Sequence, residues 1–342
     1  MLKTRRYILA FAGNAFAFRL LGALPTPAPK FDVDRLLDAN SADHPNTFSR
    51  KYICNATVTL FSLPLVTKSG VGSGYTVIEE AACPSGNTIS IQFGAGSWPE
   101  SARGLNRLGF IQEAILEESA GKPAECAYVA FMTTSQEKSL DQAKKALETS
   151  GAIVPYSAAQ GYSGHGHIAS RVDRLQFPSK LTWRDIPVLV SRARGEMAAD
   201  SQPKKDLPVA PGTPGTPATF LYVVRAALRS PAKHTKGHLF FNSKQFLLET
   251  DKEQDPAVGA HFAGRKIVAN ADKVMKLSAT LTERHTGEKT PFHLWYEAGA
   301  EQMPPLRFDY QAKSFLRLTF EADTAAPVPP IRLALAGSKE NA

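Results

Sequence analysis

The sequence predicts a mainly β protein, an antiparallel barrel-like sheet with a few crossover helices, with an α+β arrangement as the fallback. Apolar residues recur with a period of two from Lys51 to Thr133, and the same period returns from 236 to 321. Between these stretches the spacing becomes helical around a Pro- and Gly-rich linker.

The first 28 residues read as a secretory signal peptide. A basic start, Met1 to Arg6, runs into the apolar stretch Tyr7 to Phe18 and then into Pro25, Pro27 and Pro29. Arg19 interrupts the apolar run well before the roughly 20 residues that a spanning helix needs. Cleavage is expected after Ala23 or Ala28, and no membrane span is expected in the mature chain. Thr4-Arg5-Arg6-Tyr7-Ile8-Leu9 fits a twin-arginine export signal except at Ala10, and an ordinary signal with two arginines is the other reading. The expected location is periplasmic or secreted.

Of the 342 residues, 43% are hydrophobic and 21% charged, enough for a sizeable core. The formal charge is +8, and removing Lys3, Arg5, Arg6 and Arg19 with the signal leaves +4. So small an excess lacks the concentrated basic stripe of a nucleic-acid binder.

Residues 29–49 form a polar arm, and 50–323 form the β-rich domain, with a helical insertion at 135–217 and a tail at 324–342. Strands are predicted at 51–61, 70–80, 87–94, 108–118 and 125–133. On the first, Tyr52, Cys54, Ala56, Val58 and Leu60 share a core face. Gly70, Gly72 and Gly74 are followed by more strand pattern and no helix, which points to bent or closely crossing strands and away from a phosphate loop. Thr134-Ser-Gln-Glu137 forms a capping box for a helix bearing Leu140, Ala143 and Leu147 on one face. An irregular stretch follows. Asp185 then caps a second helix with Ile186, Leu189, Val190, Ala193 and Met197 apolar. Pro211 to Pro217 is the most linker-like segment. Thr216 and Pro217 start a third helix with Phe220, Val223, Val224 and Ala227 on one face.

Strand pattern resumes at 236–250, 264–269 and 273–284. In the last two strands, Phe292, Leu294 and Tyr296 alternate with His293, Trp295 and Glu297, and Leu316, Leu318 and Phe320 alternate with Arg317, Thr319 and Glu321. One face is core and the other is wet.

Three places resemble a bacterial envelope family, the one catalogued as domain of unknown function 3108. Val58-Thr-Leu-Phe-Ser-Leu-Pro-Leu65 with Gly70-Val-Gly-Ser-Gly is similar to its first hairpin. Phe220-Leu-Tyr-Val-Val-Arg225 leading into Phe240-Phe-Asn-Ser-Lys-Gln-Phe246 is similar to its crossover helix and hairpin. Phe292-His-Leu-Trp-Tyr296 with Pro305-Leu-Arg-Phe308 is similar to its closing strand pair. The resemblance implies a β-rich, barrel-like envelope protein and nothing catalytic. The 135–217 insertion departs from it.

Candidate chemistry is sparse. His165 and His167 in Gly164-His-Gly-His167 could reach one metal ion, but no third ligand lies at a recognised spacing and Asp173 is the nearest downstream acid. An exposed loop is the favoured reading of both histidines, and no metal or other cofactor is expected. Gly161-Tyr-Ser-Gly164 lacks the last glycine of a nucleophile elbow. Glu79-Glu80 and Glu117-Glu118 are adjacent on strands and so point to opposite faces. Among the three cysteines, Cys83 and Cys126 lie beside turn residues and form the candidate disulfide, while Cys54 reads as core. Aromatics concentrated on the strands pack a core, or line a partly filled barrel that takes an apolar ligand.

Two functions follow. The favoured one is an exported, non-enzymatic envelope protein that binds a hydrophobic ligand, such as a lipid, or an envelope protein. The other is a secreted hydrolase or metal-dependent enzyme using the 161–173 loop.

Overall fold

The structure is a computed structural model that describes residues 46–60, 63–83, 86–98, 101–102, 107–118, 122–133, 153–178, 205–208 and 217–323. The expected signal peptide, most of the expected polar arm, the 324–342 segment and the helices expected at 134–151 and 185–197 lie outside the described residues.

The first half of the sheet is built from β1 (Asn46–Leu60), β2 (Leu63–Cys83), β3 (Gly86–Ser97), β4 (Leu108–Glu117), β5 (Pro123–Thr133), β6 (Ile153–Gly164), β7 (His167–Pro178) and the three-residue β8 (Lys205–Leu207). A helix, α1 (Phe220–Arg229), crosses to the second half. There β9 (His234–Phe241) and β10 (Lys244–Gln254) precede α2 (Pro256–Gly264), and β11 (Val274–Glu283), β12 (Lys289–Glu297), β13 (Arg307–Lys313) and β14 (Leu316–Asp323) follow. All fourteen strands belong to one antiparallel sheet, in the order β8 to β1 and then β14 to β9. The mainly β, barrel-like fold is therefore correct, and the sheet is nearly closed.

The halves meet where β1 pairs with β14, placing Cys54 opposite Phe320 and Ala56 opposite Leu318. These partners are more than 260 residues apart in the chain, so no local pattern could announce the pairing. Both ends of the sheet are covered over part of their length. The end strand β9 is bridged by Ala218, whose carbonyl accepts from the Phe240 N–H at 3.1 Å. On the other edge β8 pairs with Ile168, Ala169 and Ser170 of β7. Such partial cover shortens the edge open to edge-to-edge association. Across the seam, the Asn242 N–H donates to the Tyr128 hydroxyl at 2.9 Å and the Ser243 N–H donates to Ser170 Oγ at 3.1 Å. Both turn residues have positive φ, 47° and 59°, as a two-residue hairpin of this hand requires.

The helix α1 packs into the main core with Ile78, Ile91, Ile115, Tyr128, Phe240 and Leu294. It is buried nearly all round, since Tyr222, Val223, Val224, Arg225, Ala227 and Leu228 are all buried. The expected one-faced helix is thus an internal one. Gly237 permits its approach to β9, because a Cβ there would collide with Val223. A second cluster gathers Phe262 of α2 with Tyr52, Val274, Trp295, Leu306 and Phe320.

Several expectations need correction. Residues 153–178 are two paired strands, not an irregular stretch, so the 135–217 insertion also extends the sheet. Their Ala-, Ser- and Gly-rich composition has weak strand propensity, and the ladder with β5 imposes the extended form. Asn46 to Ser49, read as arm, already pair with β2. No strand occupies 264–269. The preceding segment is α2, which Asp255 caps by accepting from the Val258 N–H at 3.1 Å, with Pro256 in the first turn. Trp295 is not on a wet face: it is 6% exposed, its indole N–H donates to Asp255 Oδ2 at 2.8 Å, and Arg307 stacks 4.8 Å from its ring centroid.

Candidate functional site

The interior is where an apolar ligand of an open barrel would sit, and α1 occupies it. Three carboxylates on the inward side of β2 and β4 hold the helix there. Glu113, 0% exposed, accepts from the Leu221 N–H at 2.7 Å and the Tyr222 N–H at 2.9 Å. It thereby satisfies the first turn of a helix whose N-cap, Thr219, makes no side-chain cap bond. Burial pushes the Glu113 carboxyl up to about 7, with the helix N–H donors opposing part of the rise. The Tyr222 hydroxyl donates to Glu117 Oε1 at 2.5 Å, and burial, then that carboxylate, raises its phenol. Arg225 pairs with Glu80 and approaches Gln302 Oε1 at 3.4 Å, and burial lowers its guanidinium to about 10. At the other end of the helix, Lys252 Nζ donates to the Leu228 carbonyl at 3.2 Å and also to that of Ser230.

Sequence reasoning placed Glu79 and Glu80, and Glu117 and Glu118, on opposite faces within each pair. It missed that Glu80 and Glu117 meet the same helix from different strands. It also missed Glu113, whose signal is a lone acid inside the apolar run of β4. A carboxylate buried to this degree and already bonded holds the helix, and no substrate reaches it.

The candidate disulfide between Cys83 and Cys126 is not formed. Cys126 is a buried free thiol, as is Cys54. Cys83 ends β2 and Cys126 lies on β5, with β3 and β4 between them. Three strand spacings amount to roughly 14 Å, beyond the reach of about 7 Å that a disulfide allows. The turns do lie at one end of the sheet, but lateral distance decides. Burial pushes the Cys54 thiol up to about 12 and drives that of Cys126 upward as well.

His165 sits at the tip of the β6–β7 hairpin with φ 50°. Its side chain is 71% exposed and lies 3.6 Å from Glu125 Oε1, while the other oxygen of Glu125 accepts from the Tyr162 hydroxyl at 2.8 Å. His167 is exposed at the base of the same turn, and Asp173 pairs instead with Arg171 at 2.7 Å. Among the described residues no group of three or more His, Cys, Asp and Glu side chains could hold a metal ion.

The structure does bring together an apolar wall. On one side of the β13–β14–β1–β2 region, Tyr310 stands opposite Leu318, Leu318 opposite Ala56, Leu316 opposite Val58, and Val58 opposite Val66. This side continues from the core pair Cys54 and Phe320, but Ala56, Val58, Leu316 and Leu318 are only half-buried. At its edge Leu65 is 59% and Val66 63% exposed, with Tyr310 at 38%. The cause is topological. β3 pairs with β2 only from Gly72 onward, so among the described residues Leu63 to Ser69 has β1 alone as a ladder neighbour. Gly70, at φ 63° and with its N–H bonded to Asn55 Oδ1, turns the strand at that boundary.

No protein-family model matches the chain, and comparison with curated proteins and with solved structures finds no significant match. The wall is therefore judged on its own geometry. Nothing in the sequence pattern marked it, because an alternating strand looks the same whether its apolar face is covered or open.

Proposed function

We propose that this chain is an exported envelope protein that acts by binding, and that the apolar wall on β13, β14, β1 and β2 is where a hydrophobic ligand or partner docks. The single observation that carries the reading is the exposure of Leu65 and Val66 on the stretch of β2 that runs past the end of its pairing with β3. Contiguous exposed apolar surface marks an interaction site in a folded protein. The filled interior favours the wall over the barrel centre, since entry there would require displacing a helix held by Glu80, Glu113 and Glu117. Support for export comes from the basic and apolar order of residues 1–18, and the resemblance of segments 58–74, 220–246 and 292–308 to the envelope family points the same way. No described helix is long and apolar enough to cross a membrane.

The test is titration of the folded protein with N-phenyl-1-naphthylamine, a neutral apolar fluorophore. Saturable binding that Val66→Asp abolishes without loss of circular-dichroism signal is the expected result. Binding unchanged by Val66→Asp and by Leu316→Asp would overturn the wall as the site. Cell fractionation tests export, and recovery of intact Met1 in the cytoplasm would overturn it.

A further inference from the structure

We infer that the β1–β2 ribbon and the neighbouring β13–β14 turn form a docking tip for an anionic lipid surface, an inference that rests on the wall being a binding site and names its partner. Charge complementarity is the first argument. Residues 55–69 and 310–320 contain Lys68, Lys313 and Arg317 and no aspartate or glutamate. The two segments are neighbours in space: Val58 pairs with Leu316, Thr57 with Arg317, and the Thr59 N–H donates to the Phe315 carbonyl at 2.9 Å. The nearest carboxylate on β13, Asp309, is 8% exposed and held by His293 Nδ1 at 2.9 Å, so it does not offset the cations at the surface.

The arrangement of side chains is the second argument. Pro64 to Ser69 are all exposed, so Leu65 and Val66 share this open stretch with Lys68, two positions along the strand from Val66. An exposed aliphatic pair with a cation two positions away suits the boundary between headgroups and acyl chains. There the aliphatic groups leave water while cations stay among phosphates. A protein strand adding to the free edge of Leu63 to Ser69 would use the ribbon differently, through main-chain bonds that need neither the cations nor the exposed aliphatic side chains.

The experiment is flotation of the full exported chain with vesicles of phosphatidylcholine alone and of phosphatidylcholine containing phosphatidylglycerol. Binding to the phosphatidylglycerol vesicles only is expected, weakening as salt is raised. Lys68→Ser and Arg317→Ser should each weaken it by about fivefold. The double change Leu65→Ser with Val66→Ser should abolish it while leaving the circular-dichroism spectrum unchanged, because neither side chain is in the core. If neither vesicle binds but the neutral fluorophore still does, and the double change removes that binding, the lipid inference falls and the wall remains an apolar ligand site. If neither vesicles nor fluorophore bind, both readings fall. A concentration-dependent dimer lost in the double variant, or vesicle binding insensitive to all four changes, would likewise overturn the inference.

Discussion

Glu113, on the fourth strand, caps the helix that begins at Phe220: its two carboxylate oxygens accept from the Leu221 and Tyr222 N–H groups, 108 and 109 positions away in the chain. One buried acid thus ties the first half of the sheet to the crossover helix. Its chemistry makes the tie pH-dependent.

The sign follows from the raised carboxyl. Folded, Glu113 titrates at about 7, above its ordinary value of 4.5. Between those values the folded chain holds a proton that the unfolded chain releases, so the stability tied to this group is full below 4.5 and is lost as pH rises through 7. The loss expected is about 2–3 kcal/mol. Urea melts at pH 5 and pH 8 should show this slope in the natural protein and a much flatter one in Glu113→Gln. Identical slopes would show that the carboxyl is not the titrating group.

The pair Arg225 and Glu80 should be costly to break and cheap to replace. Arg225 is 6% exposed at its side chain, so Glu80→Leu leaves a buried cation with Gln302 as its remaining close partner among the described residues. A loss of about 3 kcal/mol is expected for that change alone. Arg225→Met combined with Glu80→Leu should cost less than the sum of the two single changes by at least about 1 kcal/mol. A double-mutant cycle in urea measures this directly, and strict additivity would mean that the ion pair contributes nothing.

Cys54 and Cys126 should behave as inert core thiols. Burial raises both, so little thiolate forms at neutral pH. In the folded protein neither should react with a disulfide reagent, and both should react once urea unfolds the chain. Peptide mapping that finds Cys126 linked to Cys83 in the native protein would contradict the strand order.

Replacing His165 and His167 together with alanine should change stability by no more than about 0.5 kcal/mol, since both lie exposed at a hairpin tip. Phe320→Asp should cost several times more: the ring is 4% exposed and stacked 4.6 Å from Phe308. Leu318→Asp, two residues nearer the open wall and half-buried, should cost less than Phe320→Asp. Thermal melts of the three variants give the order, and a double histidine variant as damaging as Phe320→Asp would reveal a structural role for the hairpin tip.

The alternation in β3, β4, β5, β11 and β14 was legible from residue types alone, because a strand with a buried side repeats every two residues. The helix at Phe220 was equally legible, from its 3.6-residue spacing and the proline before it. Those local periods determined the mainly β class and the presence of a crossover helix. They could not reveal that β6 and β7 are strands, for their Ala, Ser and Gly residues become extended only by pairing with β5. Nor could they tell Trp295 from its wet neighbours, since the helix that covers it begins forty residues earlier at Asp255.

Residue types alone also narrowed the chemistry, by offering no nucleophile elbow and no third ligand beside His165 and His167. The site itself was decided by tertiary structure. Whether an apolar strand side is core or binding surface depends on what lies against it, which is a property of distant segments. Val66 and Phe320 carry similar local patterns, yet Phe320 meets Phe93 and Phe308 while Val66 extends past the last residue of β3. The same holds for Glu113: a lone acid in an apolar strand is a liability until a helix far along the chain turns its first N–H groups toward it.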